Sequence, residues 1–268
     1  MILNYNYWYF ISALPPEVCN QIVEYGLTKL YDQELKYGSK STDATTGDMK
    51  QKDSLIGEST NAPSISQSKY TIDGLKRKGI SAEKSYIRDS KVTFLDDRWL
   101  YELIWPYIKK ANDLAGWNFE WDFTENLQFT KYGPGQFYGW HADASMTPYE
   151  LWDKDKHEIY RDKNGEPIYG PGGATLPTKM ELTENPNMVG KIRKLSTTIS
   201  LNDPSEYQGG NLRFDLGPHR GERYHTCKEI RPQGSIIVFP SHVYHQVTPV
   251  TKGTRYSLVS WSLGQPWK

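Results

Sequence analysis

Tyr132-Gly133-Pro134-Gly135-Gln136-Phe137-Tyr138-Gly139-Trp140-His141-Ala142-Asp143 is the stretch on which the reading of the chain turns. It sets a His-x-Asp pair behind a glycine-rich turn, and the alternating run Leu127-Gln128-Phe129-Thr130-Lys131-Tyr132 leads into it. Side chains alternate faces along an extended chain, so His141 and Asp143 are expected to point the same way. An imidazole and a carboxylate side by side can take two neighbouring positions around a metal. A third ligand from elsewhere would complete the two-His, one-carboxylate facial triad that holds non-haem Fe(II) with positions left open. The pair alone is a weak signal, because short His and Asp combinations arise often by chance.

Working outward, Tyr5 to Ile11 reads as a strand. Ser12 is placed to cap a following helix that has Pro15 and Pro16 in its first turn and Val18, Ile22, Val23 and Leu27 at helical spacing. Gln33 to Lys69 is polar and lacks periodicity, so a long loop is expected there. Ile87 to Leu95 reads as a strand and Trp99 to Leu114 as a second amphipathic helix, kinked at Pro106. Phe119 to Phe123 alternates again. Met146 to Lys191 is a second long polar segment with a hairpin signal at Asn164-Gly165; it begins just after the candidate ligands, so it reads as a lid or as a surface insertion.

From Leu195 onward, short β-rich runs at 197–201, 211–214, 235–239 and 255–261 alternate with Gly- and Pro-marked turns, as in a sandwich or barrel. The 268 residues carry no linker of the usual composition, which favours a single domain. Its expected organisation is helical and strand support over 1–118, and a core over about 119–265 with an insertion at 146–191. The 32 basic residues equal the 32 acidic ones, so overall charge calls for neither nucleic acid nor an anionic membrane. Cys19 and Cys227 are far apart without metal-type spacing, which argues against a disulfide framework and for a reducing, cytoplasmic setting. The N-terminus has no basic n-region or cleavage pattern and reads as a strand, not a signal peptide.

The last block, Phe239-Pro240-Ser241-His242-Val243-Tyr244-His245-Gln246-Val247 followed by Arg255-Tyr256-Ser257, makes the reading specific. It resembles the C-terminal half of the Fe(II)- and 2-oxoglutarate-dependent dioxygenases, in which a basic residue follows the second His by about ten positions. His245 and Arg255 match that spacing. Tyr132 before the glycine-rich turn, Leu201-Asn202 followed by Gly209-Gly210, Phe239-Pro240 and Trp261 resemble the prolyl 4-hydroxylase-like branch of bacterial or phage type. The nucleic-acid demethylase branch carries a second Arg six residues after the anchor, where this chain has Trp261. The resemblance implies a mainly β fold with flanking α: a double-stranded β-helix (jelly-roll) core, with N-terminal helices packed on one sheet.

It also implies roles. His141, Asp143 and His245 would bind iron; His242, three residues away, falls on the opposite face of an extended chain from His245. Arg255 would anchor the distal carboxylate of 2-oxoglutarate, because an Arg fork suits a carboxylate and an Arg in an apolar strand needs an anion. Ser257 shares that face. Tyr132 would hydrogen-bond the oxo acid, and Thr198 or Ser200 would touch the distal carboxylate. Trp261, Arg193 and Tyr138 are placed on the substrate side. His157, His219 and His225 lie in loop-like stretches. The implied cofactors are Fe(II), 2-oxoglutarate and O2, with ascorbate as a candidate reductant. The implied activity is hydroxylation of a C–H bond, first of all in a prolyl residue of a peptide or protein, with release of succinate and CO2. The alternatives are the same chemistry on a free amino acid or small metabolite, and a non-catalytic β-sandwich binding module. No membrane partner is expected, and the oligomeric state is left open.

Overall fold

A computed structural model describes residues 5–46, 88–144, 146–153, 181–219 and 222–267. Its elements in chain order are β1 (Trp8–Phe10), α1 (Pro16–Tyr37), β2 (Asp43–Thr46), β3 (Arg88–Leu95), α2 (Arg98–Leu114), β4 (Phe123–Thr124), β5 (Leu127–Tyr132) and β6 (Phe137–His141). Then come β7 (Glu150–Leu151), β8 (Leu182–Thr183), β9 (Ile192–Ser200), β10 (Tyr207–Gly209), β11 (Leu212–His219) and β12 (Glu222–Thr226). β13 (Ile236–Pro240), β14 (His245–Val247), β15 (Val250–Gly253) and β16 (Arg255–Gly264) follow. One antiparallel sheet runs β1-β13-β9-β16-β5-β3-β6-β14-β11-β12, with β2 on β3 and β4 on β16.

The three central strands are buried on both faces, and the faces differ in chemistry. Cross-strand partners share a face, so the register Leu258–Ile199 and Leu258–Phe129 marks an apolar side. That side, with Leu127 and Leu195, packs on Cys19, Ile22 and Leu30 of α1 and on Leu100, Ile104 and Ile108 of α2. The register Ser257–Ser200, Ser257–Thr130, Val259–Thr198 and Arg255–Tyr132 marks the other side, which is largely polar. The helices therefore cover one face, and the second layer of strands covers the other.

That layer forms because β5 and β6 pair in turn with β3, Leu95–Leu127 at one end and Arg88–Tyr138 at the other. The turn between them is pinned: Gln136 Oε1 accepts from Gly133 N (2.7 Å), and its Nε2 donates to Asp89 (2.8 Å). β6 then leads into β14, β11 and β12. Leu212 and Phe214 of β11 meet Ile237 and Phe239 of β13 in a second apolar cluster that joins the two layers. The result is mainly β with flanking helices packed on one sheet, a curled jelly-roll.

Several local expectations are corrected. Ser12 does not cap α1: it has φ 46° and donates its N–H to Ser235 Oγ (3.1 Å), while the helix starts at Pro16 behind Pro15. The helix runs on through Gln33 to Tyr37, because Gln33 continues the buried stripe Cys19, Ile22, Gly26, Leu30 and is satisfied by Ser41 O (2.6 Å) and Thr93 Oγ1 (2.9 Å). β2 then occupies part of the expected loop; its remainder, 47–69, lies outside the described residues, as does Asn164-Gly165. Of 119–123 only Phe123 is in a strand. Phe119 is instead held by the Asn112 side chain at both N–H and C=O (3.0 Å each), so its alternation reflects burial without a ladder. α2 continues through Pro106. His219 and His225 lie in β11 and β12 rather than in loops.

Gly26 sits where α1 crosses β5, and an added Cβ would strike the Phe129 ring, itself fully buried and stacked on Tyr256. Helix-interior glycine costs roughly 1 kcal/mol against Ala, so close approach is the gain. Gly26→Val is expected to destabilise the chain by about 1–3 kcal/mol, read as a fall in thermal midpoint. An unchanged midpoint would mean that helix and sheet have room to spare.

Candidate metal centre

β6 brings His141, Asp143 follows two residues on, and β14 brings His245 directly opposite His141. The ligand atoms of the three lie within 4.8 Å of one another, the one such grouping of His, Cys, Asp and Glu among the described residues. His141 Nε2 is 3.4 Å from Asp143 Oδ1, and His245 Nε2 is 3.6 Å from Oδ2. The register slips between Val247–Tyr138 and His245–His141, so β6 spends three steps where β14 spends two. That bulge turns Tyr138 to the same side as His141, and the two rings stack at 3.5 Å.

Each imidazole is oriented from behind. Nδ1 of His141 bonds Gly139 O (2.8 Å) and Nδ1 of His245 bonds Val243 O (3.0 Å). A carbonyl can only accept, so Nδ1 carries the proton and Nε2 presents a lone pair inward. Burial, with His141 beside it, lowers His245 to about 4, so it is neutral at ordinary pH. Burial works to raise the Asp143 carboxyl, but it is held well below the usual carboxylate range by His245 and His141 in their protonated forms and by Arg193. Two lone pairs and a carboxylate thus converge with no donor between them. This donor set fits a divalent cation, and its two-N, one-O chemistry is that of Fe(II) sites.

Arg255 forms the far end of the same cavity. It is 2 % exposed, its guanidinium gives one hydrogen bond to Ser257 Oγ (3.2 Å) and stands 5.5 Å from the Tyr132 ring centroid. It makes no ion pair among the described residues. A buried cation without an anion is costly, so this pocket fits an incoming carboxylate. Gly210, at φ 59°, leaves room for it: a Cβ there would press on Arg255 Cδ and Val250.

The other expected residues divide. Tyr132, Tyr138, Thr198, Ser257 and Trp261 line the cavity. Ser200 does not; its Oγ is buried without a partner among the described residues. Arg193 is also not free for substrate. It is clamped by Glu125 through two 2.6 Å bonds, lies 4.2 Å over the Trp261 ring, and gives Nη1 to Asp143 O (3.3 Å). Glu125 carried no motif signal in the sequence, yet it holds the Arg that holds the Asp143 backbone. His242 is exposed on the turn after β13, and His225 bonds the Tyr7 hydroxyl (2.9 Å), so neither joins the cluster. His157 lies outside the described residues.

A sequence profile of the 2OG-Fe(II) oxygenase superfamily matches residues 127–263, about half the chain, with His141, Asp143, His245 and Arg255 inside the match. The chain belongs to that superfamily. Within it, the chain is 39 % identical over 93 residues to a PKHD-type hydroxylase of Picosynechococcus, covering 35 % of this chain and 38 % of that protein. It is 29 % identical over 136 residues to one of Klebsiella pneumoniae, covering 50 % and 41 %. The chain thus matches about two fifths of the length of these relatives. Among solved structures, the viral collagen prolyl hydroxylase of Paramecium bursaria Chlorella virus 1 aligns at TM-score 0.49 with 13 % identity, over 97 % of both chains. A Pseudomonas putida prolyl-4-hydroxylase aligns at TM-score 0.48 with 15 % identity, over 97 % and 92 %.

Glu125→Gln would leave Arg193 without its carboxylate. Loss of one partner of this partly buried pair is expected to cost about 1–3 kcal/mol, and the loosened Asp143 backbone to weaken metal binding by roughly tenfold. Thermal unfolding and anaerobic titration with Fe(II) or Co(II) read the two effects. Unchanged metal affinity would show that the clamp does not position Asp143.

Proposed function

We propose that this chain is an Fe(II)- and 2-oxoglutarate-dependent dioxygenase that hydroxylates a C–H bond, with a prolyl residue of a peptide or protein as the first substrate class to test. The observation that carries the reading is the pairing, in one cavity, of a converging His-Asp-His set with a buried arginine that has no anion among the described residues. A metal site alone would not need Arg255, and a binding module would need neither. Membership of the superfamily and hydroxylase relatives support the class of reaction. The prolyl substrate rests on the residues around the site that resemble the prolyl 4-hydroxylase-like branch.

In this reading His141, Asp143 and His245 hold the iron and leave its remaining positions to small ligands. When bound, iron with 2-oxoglutarate supplies the oxidising chemistry, by which O2 is consumed, the oxo acid is converted to succinate and CO2, and one oxygen atom enters the substrate. The chain's part is to bind and orient. Arg255 receives the distal carboxylate, assisted by Ser257, with Thr198 on the same wall. Tyr132, facing Arg255 across β5 and β16, is the hydrogen-bond donor assigned to the acid. Tyr138 and Trp261 wall the approach with aromatic surface and keep water out.

Succinate formation from 2-oxoglutarate, with Fe(II) in air and with or without a proline-rich peptide, tests the proposal. His141→Ala is expected to lose metal binding and to reduce turnover at least about 100-fold. Arg255→Lys keeps the charge but loses the fork, so it should raise the KM for 2-oxoglutarate more than it lowers kcat; it also guards against misfolding of Arg255→Ala. Normal turnover in His141→Ala would sink the metal assignment. Turnover that no peptide stimulates would move the substrate to small molecules.

A further inference from the structure

Strand β12 ends the sheet. Among the described residues it pairs with β11 alone, so its other edge keeps unpaired N–H and C=O groups. Its inner face is closed: Tyr7 stacks on His225 there, with ring centres 5.7 Å apart, and the Tyr7 hydroxyl bonds the same imidazole (2.9 Å). The outer face is different. Trp140 of β6 and Tyr224 of β12 meet over the two strands that separate them, with their rings stacked at 4.9 Å. Tyr224 is 42 % exposed.

Arg213 of β11 stands beside this stack. Its guanidinium lies 5.9 Å from the Trp140 ring centre and 5.3 Å from that of Tyr224. It makes no ion pair among the described residues. Asp215 is engaged by Arg223 Nε (3.0 and 2.8 Å), and Glu229 is turned to the Tyr7 hydroxyl on the inner side (3.4 Å). Arg213 Nε is buried without an acceptor, and so is Nε2 of Gln246, its register partner on β14. The chain thus sets a guanidinium against an aromatic surface and gives it no carboxylate. Tryptophan, tyrosine and arginine in contact are also the residues most enriched at binding hot spots.

We infer that the free edge of β12 docks an extended, glutamate-bearing segment of a partner protein as an added strand, with one carboxylate on Arg213. The inference rests on neither the metal nor the reaction proposed above. An added strand satisfies the open edge through main-chain bonds, and every second side chain falls on the outer face. Thr226 faces Arg213 in the register and is small, so a glutamate on the added strand can reach past it to the guanidinium fork. An apolar neighbour on the same segment rests on the exposed Tyr224 ring. A lysine in place of the glutamate sets cation against cation.

The test is equilibrium binding of a fluorescein-labelled peptide of Thr-Glu-Thr-Val repeats to the full chain in EDTA, followed by anisotropy. A Kd on the order of 10–100 μM is expected, with slowed amide hydrogen exchange over 222–226. Arg213→Gln should weaken binding roughly tenfold. Arg213→Lys, which keeps the charge and loses the fork, should weaken it less. Both should keep the parent thermal midpoint. Peptides of Thr-Lys-Thr-Val and Thr-Glu-Thr-Pro should not bind, the first for its charge and the second because proline lacks the ladder N–H. No binding, equal binding by Arg213→Gln, or equal binding of either control peptide would overturn the inference. So would self-association of the chain that keeps the peptide off β12. So would displacement of the peptide by succinate where chloride at equal ionic strength leaves it bound, because the site would then belong to a small carboxylate. The assay involves neither iron nor turnover, so its failure and that of the proposed reaction are read separately.

Discussion

Strands β5, β9 and β16 must be buried on both faces, and only one of those faces is apolar. This constraint organises the rest. Leu127, Phe129, Leu195, Ile199 and Leu258 demand helices, and α1 and α2 supply them. On the other side Thr130, Thr198, Ser200, Ser257 and Arg255 are drawn out of water; Ser200 Oγ has no partner among the described residues, and Arg255 has only Ser257. A sheet built for stability alone would carry valine and isoleucine there. The polar inner face is the cost of holding a polar ligand, and the apolar outer face offsets it.

The metal centre depends on a second layer laid over that polar face. β6 and β14 are tied to each other, and the imidazoles are tied to the backbone behind them, so three acceptors are held close although each repels the others. The bulge in β6 does one thing more: it sets the Tyr138 ring flat against His141. Arg193 reaches the same ensemble from β9, through Asp143 O, with Glu125 and Trp261 fixing its two sides. Position therefore comes from strands on both layers rather than from one loop.

Much of this was legible in the residues. His-x-Asp, the later His and the Arg-x-Ser each sit on runs whose alternation is strong, and the structure brings them into one cavity. What failed failed for physical reasons. Gln33 looked like the start of a loop because it is polar, yet it fills a helical stripe by satisfying its amide on Ser41 and Thr93. Phe119 looked like strand because burial alternates there, while its backbone pairs with a side chain. Arg193 looked like a substrate ligand because its partner, Glu125, is 68 residues away and leaves no local trace. The short strands β10, β12, β14 and β15 carry too few residues for a period to show.

The segment that interrupts the core is closed at its base. β7 and β8 pair in parallel, and Tyr149 exchanges both backbone bonds with Gly190 and Lys191 (2.9 and 3.0 Å). The two chain ends that enter and leave are thus fastened to each other before they reach β9. The clasp, with Trp152 N–H on Thr183 O (2.8 Å), makes β9 leave for the barrel from a point fastened to the chain that follows Asp143. The strand that carries Arg193 therefore starts already tied to the residue its guanidinium reaches.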